Sequence, residues 1–269
     1  MEPRKAAVVA GSSGKDALSK NMKILVPVKR VIDPSFKVRL KPDHSGLDMA
    51  YMKMVTNPYD EAALAAALQF KEQDAKTQVL TVSCGAEDSV ETLRTTLAMG
   101  ADEALFIEAR QAMSTLVLAR ILKAVAVREN CDMVLIGRQG MGSDGNQAGP
   151  MLAMLLGWPF VPFAETLTIE GRRVSARCKT DHGFEMLETT LPVLASVEIG
   201  IAAPRYVSMP MLMKAKKKQI PSVTADELGI DMKMNVAVVQ LREPPERRRG
   251  VMLPDSATLV ERLRDMQII

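Results

Sequence analysis

Short apolar runs alternate with amphipathic helical segments over the first half of the chain. In the segment before the fourth run, apolar residues from 118 to 125 follow helical spacing. The alternation of strand and helix patterns predicts an α/β fold, with a mainly parallel sheet and flanking helices. The runs that predict its buried strands lie at residues 23–28, 78–83, 104–107 and 133–136.

Polar residues at the predicted element boundaries add detail. Asn57 followed by Pro58 fits a helix start, with Asn57 as the capping residue. Residues 88–91 have the spacing of a capping box, and Ser114 is expected to open the next helix. A short alternating run at 37–40 is a possible additional strand.

The pattern changes after residue 160. Segments at 166–169 and 174–177, separated by a turn at Glu170 and Gly171, predict a hairpin. Two further strands are predicted at 185–189 and 192–197.

Frequent prolines mark the last quarter of the chain and predict an extended arm, because such a segment cannot make a compact sheet. A strand at 235–241 is possible within it, and a terminal helix is expected at 256–266. The predicted organisation is therefore a disordered extension over 1–21, an α/β domain over 22–198 and an extended C-terminal arm over 199–269.

Composition narrows the class of protein. The chain has 269 residues, of which 47% are hydrophobic, so it can bury a sizeable core. Its net charge of +3 argues against a nucleic-acid coat, and it has no apolar run of the roughly 18 residues that a membrane-spanning helix needs. Residues 11–15 lack the pattern of a phosphate-binding P-loop, because Val9 and Asp16 stand where a glycine and a hydroxyl residue are required.

Cysteine and histidine are scarce. Cys84, Cys131 and Cys178 are widely spaced and form no CxxC pair, which favours a reducing compartment without disulfides or a zinc site. Cys84 has no neighbouring base, so a pocket-lining role is favoured over a nucleophile. Asp181-His182-Gly183 has no accompanying nucleophile and predicts a turn.

The stretch from Asp132 to Pro150 carries the strongest functional signal. Its apolar start predicts a strand, glycines follow at 137, 140, 142 and 145, and a second apolar run begins near residue 149. A strand that leads through a glycine-rich loop into a helix N-terminus favours an anion, because bare N–H groups and the helix dipole point at it. Nucleotide or phosphate binding is therefore favoured over a plain surface turn, with the strand ends Pro27, Cys84 and Gly137 around the site.

Two further features have alternative explanations. Asn57 is expected to act as a helix cap, with contact to a ribose or base as the alternative if it lies near the glycine-rich loop. The lysine-rich run at 214–218 is compatible with RNA contact, but a solvated helix end is favoured, since cations complement the helix dipole there.

An ordered series of short motifs resembles the beta subunit of electron-transfer flavoproteins over about residues 22–269. The resemblance implies a flavodoxin-like or HUP-type domain in a non-catalytic electron-carrier subunit. Its motifs lie at residues 22–33, 57–59, 82–85, 94–102, 146–149, 203–206 and 213–218.

The resemblance implies a structural AMP in this subunit and a redox-active FAD held mainly by an alpha subunit, with Tyr59 near the flavin. The residues that it assigns to nucleotide binding are Pro27, Asn57, Pro58, Tyr59, Asp60, Cys84, Gly137, Arg138, Gln139, Gly140, Met141, Gly142, Ser143, Asp144, Gly145, Asn146, Gln147 and Ala148.

The resemblance also implies an obligate heterodimer with the alpha subunit, which the C-terminal arm would wrap. Electrons would come from primary flavin dehydrogenases and pass towards a quinone reductase, without nucleic acid or membrane insertion. A docking segment is expected at Ile201, Pro204, Arg205 and Tyr206, with Ile201 as an exposed apolar anchor. The expected location is the bacterial cytoplasm, or the mitochondrial matrix in a eukaryote.

Some residues depart from the family pattern. Gly142 and Ser143 stand where acidic residues are frequent, and Ala148 stands where threonine is frequent, which puts AMP in doubt as the nucleotide. Pro150 also occurs in an electron-bifurcating branch, in which a second FAD replaces AMP. That branch and a free-standing adenine-nucleotide-binding protein are the alternative functions.

Overall fold

The computed structural model describes residues 21–109, 113–233, 238–243, 245 and 249–269. The described residues form two compact units. One contains the residues up to 37 and those from 50 to 233, and the other contains residues 38–49 and those from 238 onwards. The predicted extension at 1–21 lies outside the described residues except for Asn21, so it stays a prediction.

A nine-stranded sheet forms the centre of the first unit. Its order is β11-β5-β4-β1-β6-β10-β7-β8-β9, and β2 pairs with β3 in a separate sheet. Neighbours from β11 to β7 pair in parallel, whereas β7, β8 and β9 are antiparallel, so the predicted fold class is confirmed. The strands are β1 (Lys23–Pro27), β2 (Arg30–Ile32), β3 (Met54–Thr56), β4 (Gln78–Gly85), β5 (Glu103–Glu108), β6 (Met133–Gly137), β7 (Phe160–Glu170), β8 (Arg173–Thr180), β9 (Gly183–Thr190), β10 (Val193–Val197) and β11 (Ser222–Thr224).

Helices cover both faces of this sheet. Ile24 and Val26 of β1 join one buried cluster with residues of α1 and α2, while Leu25 joins a second cluster with residues of α3 and α4. This alternation follows from the pleat, which turns successive side chains to opposite faces. The helices are α1 (Pro58–Gln73), α2 (Val90–Met99), α3 (Thr115–Arg128), α4 (Ala148–Leu156), α5 (Met209–Lys217) and α6 (Ser256–Asp265).

The helix start expected at Ser114 and the terminal helix expected at 256–266 are both confirmed. The hydroxyl oxygen of Ser114 accepts a hydrogen bond of 3.3 Å from the Val117 N–H at the start of α3. The terminal helix α6 also forms, and Asp255 caps it by accepting from the Thr258 N–H at 2.7 Å. Both caps satisfy N–H groups that the first helical turn leaves without a partner.

The capping box expected at 88–91 is wrong. Residues 87–89 form a 3₁₀ helix, α2 begins at Val90, and the Ser89 side chain makes no capping hydrogen bond. Asp88 instead forms an ion pair with Arg30 of β2. The Asp88 carboxylate therefore pairs with Arg30 and does not cap the helix start, as the local pattern suggests it would.

The possible strand at 37–40 is also wrong. Leu40 makes a single isolated bridge with Leu47, and the strand in this part of the chain is β2, which pairs with β3. Lys37, Val38 and Arg39 are exposed, so their alternation serves no buried face. Of the possible strand at 235–241, residues 234–237 lie outside the described part, and 238–241 form no strand.

The proline-rich segment after residue 198 contributes more to the sheet than its pattern predicts. The three-residue strand β11 pairs in parallel with β5 at the sheet edge, from Ser222 opposite Phe106 to Thr224 opposite Glu108. Helix α5 carries Lys214, Lys216 and Lys217 in its last turn, as the helix-end interpretation of that run expects. This segment therefore extends the central sheet by one short strand, and its described residues form no sheet of their own.

Candidate functional site

The strand order creates a crevice between β1 and β6. The chain moves from β1 to β4 and β5 on one side, and then returns to place β6 on the other side of β1. Crossover helices therefore leave the carboxyl ends of β1 and β6 in opposite directions. Ligands of parallel α/β sheets bind at such a reversal of strand order.

A cavity of about 470 Å³ occupies this crevice. Its volume falls within the roughly 300–1,000 Å³ that is usual for small-molecule sites. Apolar side chains form part of its wall, and polar groups from the strand ends and the loop after β6 form the rest. The apolar residues include Val82, Leu118, Leu122 and Ile136.

Two helix N-termini border the cavity. Ser114 and Thr115 belong to the start of α3, and Gln147, Ala148 and Gly149 belong to the start of α4. Each N-terminus carries unpaired N–H groups and a partial positive charge from its helix. The arrangement therefore favours an anionic group in the cavity, as the glycine-rich loop predicts.

Asn57 shapes the loop after β6. Its Nδ2 donates to the carbonyl oxygen of Gln139 at 2.9 Å, and its Oδ1 accepts from the Met141 N–H at 3.3 Å. The side chain makes no capping hydrogen bond to α1, so the expected cap is wrong. Both ends of the amide are used by the loop backbone, and Asn57 is thus a support of the site wall.

Asp60 is buried beneath the site, next to β1. Its Oδ2 accepts a hydrogen bond of 2.8 Å from the backbone N–H of Lys29. Burial raises the pKa of this carboxyl to about 7, against hydrogen bonds from Asn57, Lys29 and Gly137 that favour the ionised form. The carboxyl is therefore partly protonated near neutral pH.

Gly137 lets the end of β6 lie directly against the start of α1. A Cβ atom at this position would come within 2.4 Å of Asp60 Oδ1 and 2.6 Å of the Tyr59 carbonyl carbon. The second of these atoms is backbone and cannot move aside cheaply. The glycine is needed for close approach of the two elements.

Two cationic side chains line the cavity, and they differ in whether an ion pair already neutralises them. Arg138 forms an ion pair with Glu198, with Nη1 and Oε1 2.6 Å apart, and its guanidinium lies 4.8 Å from the Phe163 ring centre. Lys29 has no ion-pair partner among the described residues, and its Nζ lies 3.4 Å from the Ser143 hydroxyl. Lys29 therefore offers a ligand a charge that no ion pair among the described residues already uses.

Most of the residues predicted for nucleotide binding line this cavity. The other five lie outside its wall, three in the loop after β6 and two on α1. Those in the wall are Pro27, Asn57, Asp60, Cys84, Gly137, Arg138, Gln139, Gly140, Ser143, Gly145, Asn146, Gln147 and Ala148, and those outside it are Pro58, Tyr59, Met141, Gly142 and Asp144.

The prediction missed Lys29 and the start of α3. Lys29 follows the strand end Pro27 by two residues, so the strand-end rule could have found it. The capping signal at Ser114 could have identified a second helix N-terminus at the site. Met113, beside it, also lines the cavity.

Cys84 lines the cavity as a protonated thiol. Burial raises its pKa to about 12, so almost no thiolate forms near neutral pH. This agrees with the interpretation of Cys84 as a small pocket-lining residue. The predicted turn at Asp181 and His182 is present between β8 and β9.

The expected docking segment follows β10. Ile201 ends a 3₁₀ helix (Ile199–Ile201) and is only partly exposed, since it packs against the main buried cluster. Ile199 is the more exposed isoleucine of this segment, at 48%, and the anchor role of Ile201 stays a prediction. Tyr206 is 87% exposed, and Arg205 forms an ion pair of 2.7 Å with Glu72 of α1.

Comparison with known proteins identifies the family. A family model described as the electron transfer flavoprotein domain matches residues 47–228. The electron transfer flavoprotein subunit beta of Bradyrhizobium diazoefficiens is 41% identical over 244 residues, which cover 91% of this chain and 98% of that protein. The chain belongs to the electron transfer flavoprotein family.

Eukaryotic beta subunits of this family are similar to the chain at nearly the same level. The mitochondrial subunit beta of Oryza sativa subsp. japonica is 40% identical and the subunit beta of Homo sapiens is 37% identical. Each match covers 91% of this chain and 98% of the relative. The family membership agrees with the predicted beta subunit, and its name implies a partner alpha subunit and an involvement of flavin.

None of the helices in the described part of the chain has the length and apolar composition needed to span a bilayer. The described residues bear on metal binding in a similar way. They also contain no group of three or more acidic, histidine or cysteine side chains arranged to hold a metal ion.

Proposed function

We propose that the chain is the beta subunit of a heterodimeric electron carrier. It binds a structural nucleotide, supports the alpha subunit that holds FAD, and docks primary flavin dehydrogenases, from which electrons pass towards a quinone reductase. The cavity between β1 and β6 carries this proposal, because it places Lys29 and two helix N-termini around one anion-binding volume. The membership of the chain in the electron transfer flavoprotein family also supports the proposal.

AMP is the proposed occupant of the cavity. Lys29 and the starts of α3 and α4 would receive its phosphate, and the apolar wall at Val82, Leu118 and Ile136 would receive its base. The Nε atom of Arg138 is buried and has no hydrogen-bond partner among the described residues. A ligand acceptor would remove the cost of that unsatisfied donor, so the residues fit a polar occupant.

The chain contributes binding and positioning to electron transfer. FAD on the alpha subunit supplies the electron-carrying chemistry, and Tyr59, which is partly exposed at the start of α1, is proposed to lie near it. The segment with Ile201, Pro204, Arg205 and Tyr206 is proposed to dock dehydrogenases. Residues 199–269 are proposed to complete the contact with the alpha subunit.

The proposed cellular location follows the relatives, one of which is bacterial and another named mitochondrial. It is the cytoplasm in a bacterium and the mitochondrial matrix in a eukaryote.

Co-expression with the cognate alpha subunit tests the proposal. The purified complex is expected to be yellow and to release one FAD and one AMP per heterodimer after acid extraction. The chain expressed alone is expected to be colourless. A chain that forms no complex with its alpha subunit would contradict the heterodimer, and a complex without a second nucleotide would contradict the AMP site.

A second candidate function is electron bifurcation, with FAD in the cavity. It is favoured by Pro150 in the first turn of α4, a residue that also occurs in the bifurcating branch, and by Gly142 and Ser143, which lack the acidic side chains frequent in the family. The same extraction decides between the two, because two FAD and no AMP per heterodimer would support bifurcation.

A further inference from the structure

Arg138 and Glu198 stand beyond the ends of two neighbouring strands. Gly137 ends β6 and Val197 ends β10, and these two residues are partners in the parallel register. The Arg138 N–H donates to the Val197 carbonyl oxygen at 3.0 Å, so the backbone pairing continues one residue past the strand end. The two side chains therefore leave the sheet side by side.

Arg138 belongs to the cavity, and Glu198 directly precedes the docking segment at residues 199–206. Arg138 lines the cavity at the start of the glycine-rich loop. Glu198 is the residue directly before the 3₁₀ helix, and its carbonyl oxygen accepts from the Ile201 N–H at 3.2 Å. The ion pair of 2.6 Å is thus a direct connection between the two regions.

The surroundings hold this ion pair in one place. The Glu198 side chain is only 14% exposed, and its backbone N–H donates to the Ala164 carbonyl oxygen at 3.0 Å. The Arg138 guanidinium also lies over Phe163, whose own N–H donates to the Ser196 hydroxyl at 3.0 Å. A mostly buried, charge-assisted contact fixed on both sides transmits displacement better than an exposed pair, which solvent screens.

We propose that Arg138 is a positioning residue through which nucleotide in the cavity stabilises the docking segment. A ligand that contacts Arg138 restricts its guanidinium, the guanidinium holds Glu198, and Glu198 fixes the first turn of the 3₁₀ helix (Ile199–Ile201). This inference rests on the proposed function, and it gives the structural nucleotide a role in partner recognition. The coupling is reciprocal, so a docked partner also retains the nucleotide more tightly.

Hydrogen exchange of the docking segment tests the link. The heterodimer is refolded with saturating AMP and without nucleotide, AMP binding is measured by calorimetry, and exchange is followed by mass spectrometry in peptides covering 199–206. AMP is expected to slow exchange there by at least roughly fivefold, the lower end of typical coupling between sites. Peptides from β9, at the far edge of the sheet, serve as an internal reference.

Two glutamate variants separate the link from general stabilisation. Glu198→Gln removes the charge but keeps the shape, and it is expected to abolish the effect of AMP on residues 199–206 while leaving AMP binding nearly intact. Glu188→Gln is the matched control, since Glu188 also forms a 2.6 Å ion pair, with Arg173, but on β8 and β9. Glu198→Asp, which keeps the charge, is expected to restore part of the effect.

The outcomes distinguish this inference from the proposed function. If AMP binds the wild type but slows exchange equally in wild type and Glu198→Gln, or in neither, the link is overturned and the nucleotide site stands. If the wild type binds no AMP, the link and the nucleotide part of the proposed function both fail.

Discussion

The backbone N–H of Lys29 donates a hydrogen bond of 2.8 Å to the Asp60 carboxylate, which joins the end of β1 to the start of α1 beneath the cavity. Burial raises the pKa of Asp60 from its ordinary value of 3.8 to about 7. Between these values the folded chain binds the Asp60 proton more tightly than the unfolded chain does. The contribution of Asp60 to the free energy of unfolding is therefore fully present below about pH 4. It is lost as the pH rises towards 7.

The first prediction concerns this pH dependence. The Asp60 contribution is expected to lower the free energy of unfolding by up to roughly 4 kcal/mol between pH 4 and pH 8. Asp60→Asn, which cannot ionise, is expected to remove that slope in urea unfolding followed by circular dichroism. Asp181→Asn, in the exposed turn between β8 and β9, is the control and should keep the slope. An unchanged slope in Asp60→Asn would show that another group titrates.

Gly137→Ala is predicted to damage both the fold and the site. The added methyl group would meet Asp60 and the Tyr59 backbone at 2.4–2.6 Å, so β6 and α1 must separate. The expected loss is roughly 1–3 kcal/mol of unfolding free energy, with less bound nucleotide. Thermal unfolding and nucleotide extraction measure the two effects. Gly250→Ala, where no atom lies within 4 Å of the new Cβ, should leave both unchanged.

Lys29→Met is predicted to weaken recognition of the phosphate group specifically. The loss of one charge-assisted hydrogen bond is expected to raise the dissociation constant for AMP roughly tenfold to hundredfold. Affinity for adenosine, which lacks the phosphate, should change little. Calorimetry with both ligands makes the comparison.

Lys53→Met provides the matched control for Lys29→Met. Lys53 is an exposed lysine that pairs with Asp33 at 3.5 Å and does not line the cavity. The Lys53→Met substitution should leave the affinity for AMP unchanged. Equal losses for AMP and adenosine in Lys29→Met would assign Lys29 a purely structural role.

The cysteines are predicted to resist alkylation in the folded protein. Burial raises the pKa of Cys84 and Cys131 to about 12, and that of Cys178 to about 11. The reactive thiolate is therefore scarce at pH 7.5, and Cys131 and Cys178 are buried as well. Iodoacetamide labelling measured by mass spectrometry should be slow in buffer and complete in urea. Rapid labelling of Cys84 in the folded chain would contradict its raised pKa.

The sequence predicts the central sheet well because its strands are buried on both faces and form continuous apolar runs. The glycine-rich loop was also predictable, since a strand, glycines and a helix start occur in order between Asp132 and Pro150. These signals come from residues that are close in sequence, so they can be recognised without knowledge of tertiary contacts.

The features that the sequence did not predict depend on distant residues. Asn57 fits a helix cap locally, but its amide is used by Gln139 and Met141, which lie 82 and 84 residues away. Asp88 fits the first position of a capping box locally, but its carboxylate forms an ion pair with Arg30. In both cases the position of a remote partner decides which of two hydrogen-bonding roles the side chain adopts.

The strand β11 has a consequence for the order in which the chain is synthesised. Its three residues cover the outer edge of β5, yet they lie more than 110 residues after that strand. During translation the backbone groups of that edge have no strand partner until residue 224 has emerged, and unpaired edges invite association between chains. A nascent chain, or one truncated before Ser222, would therefore expose the edge and depend on chaperones or rapid completion to stay monomeric.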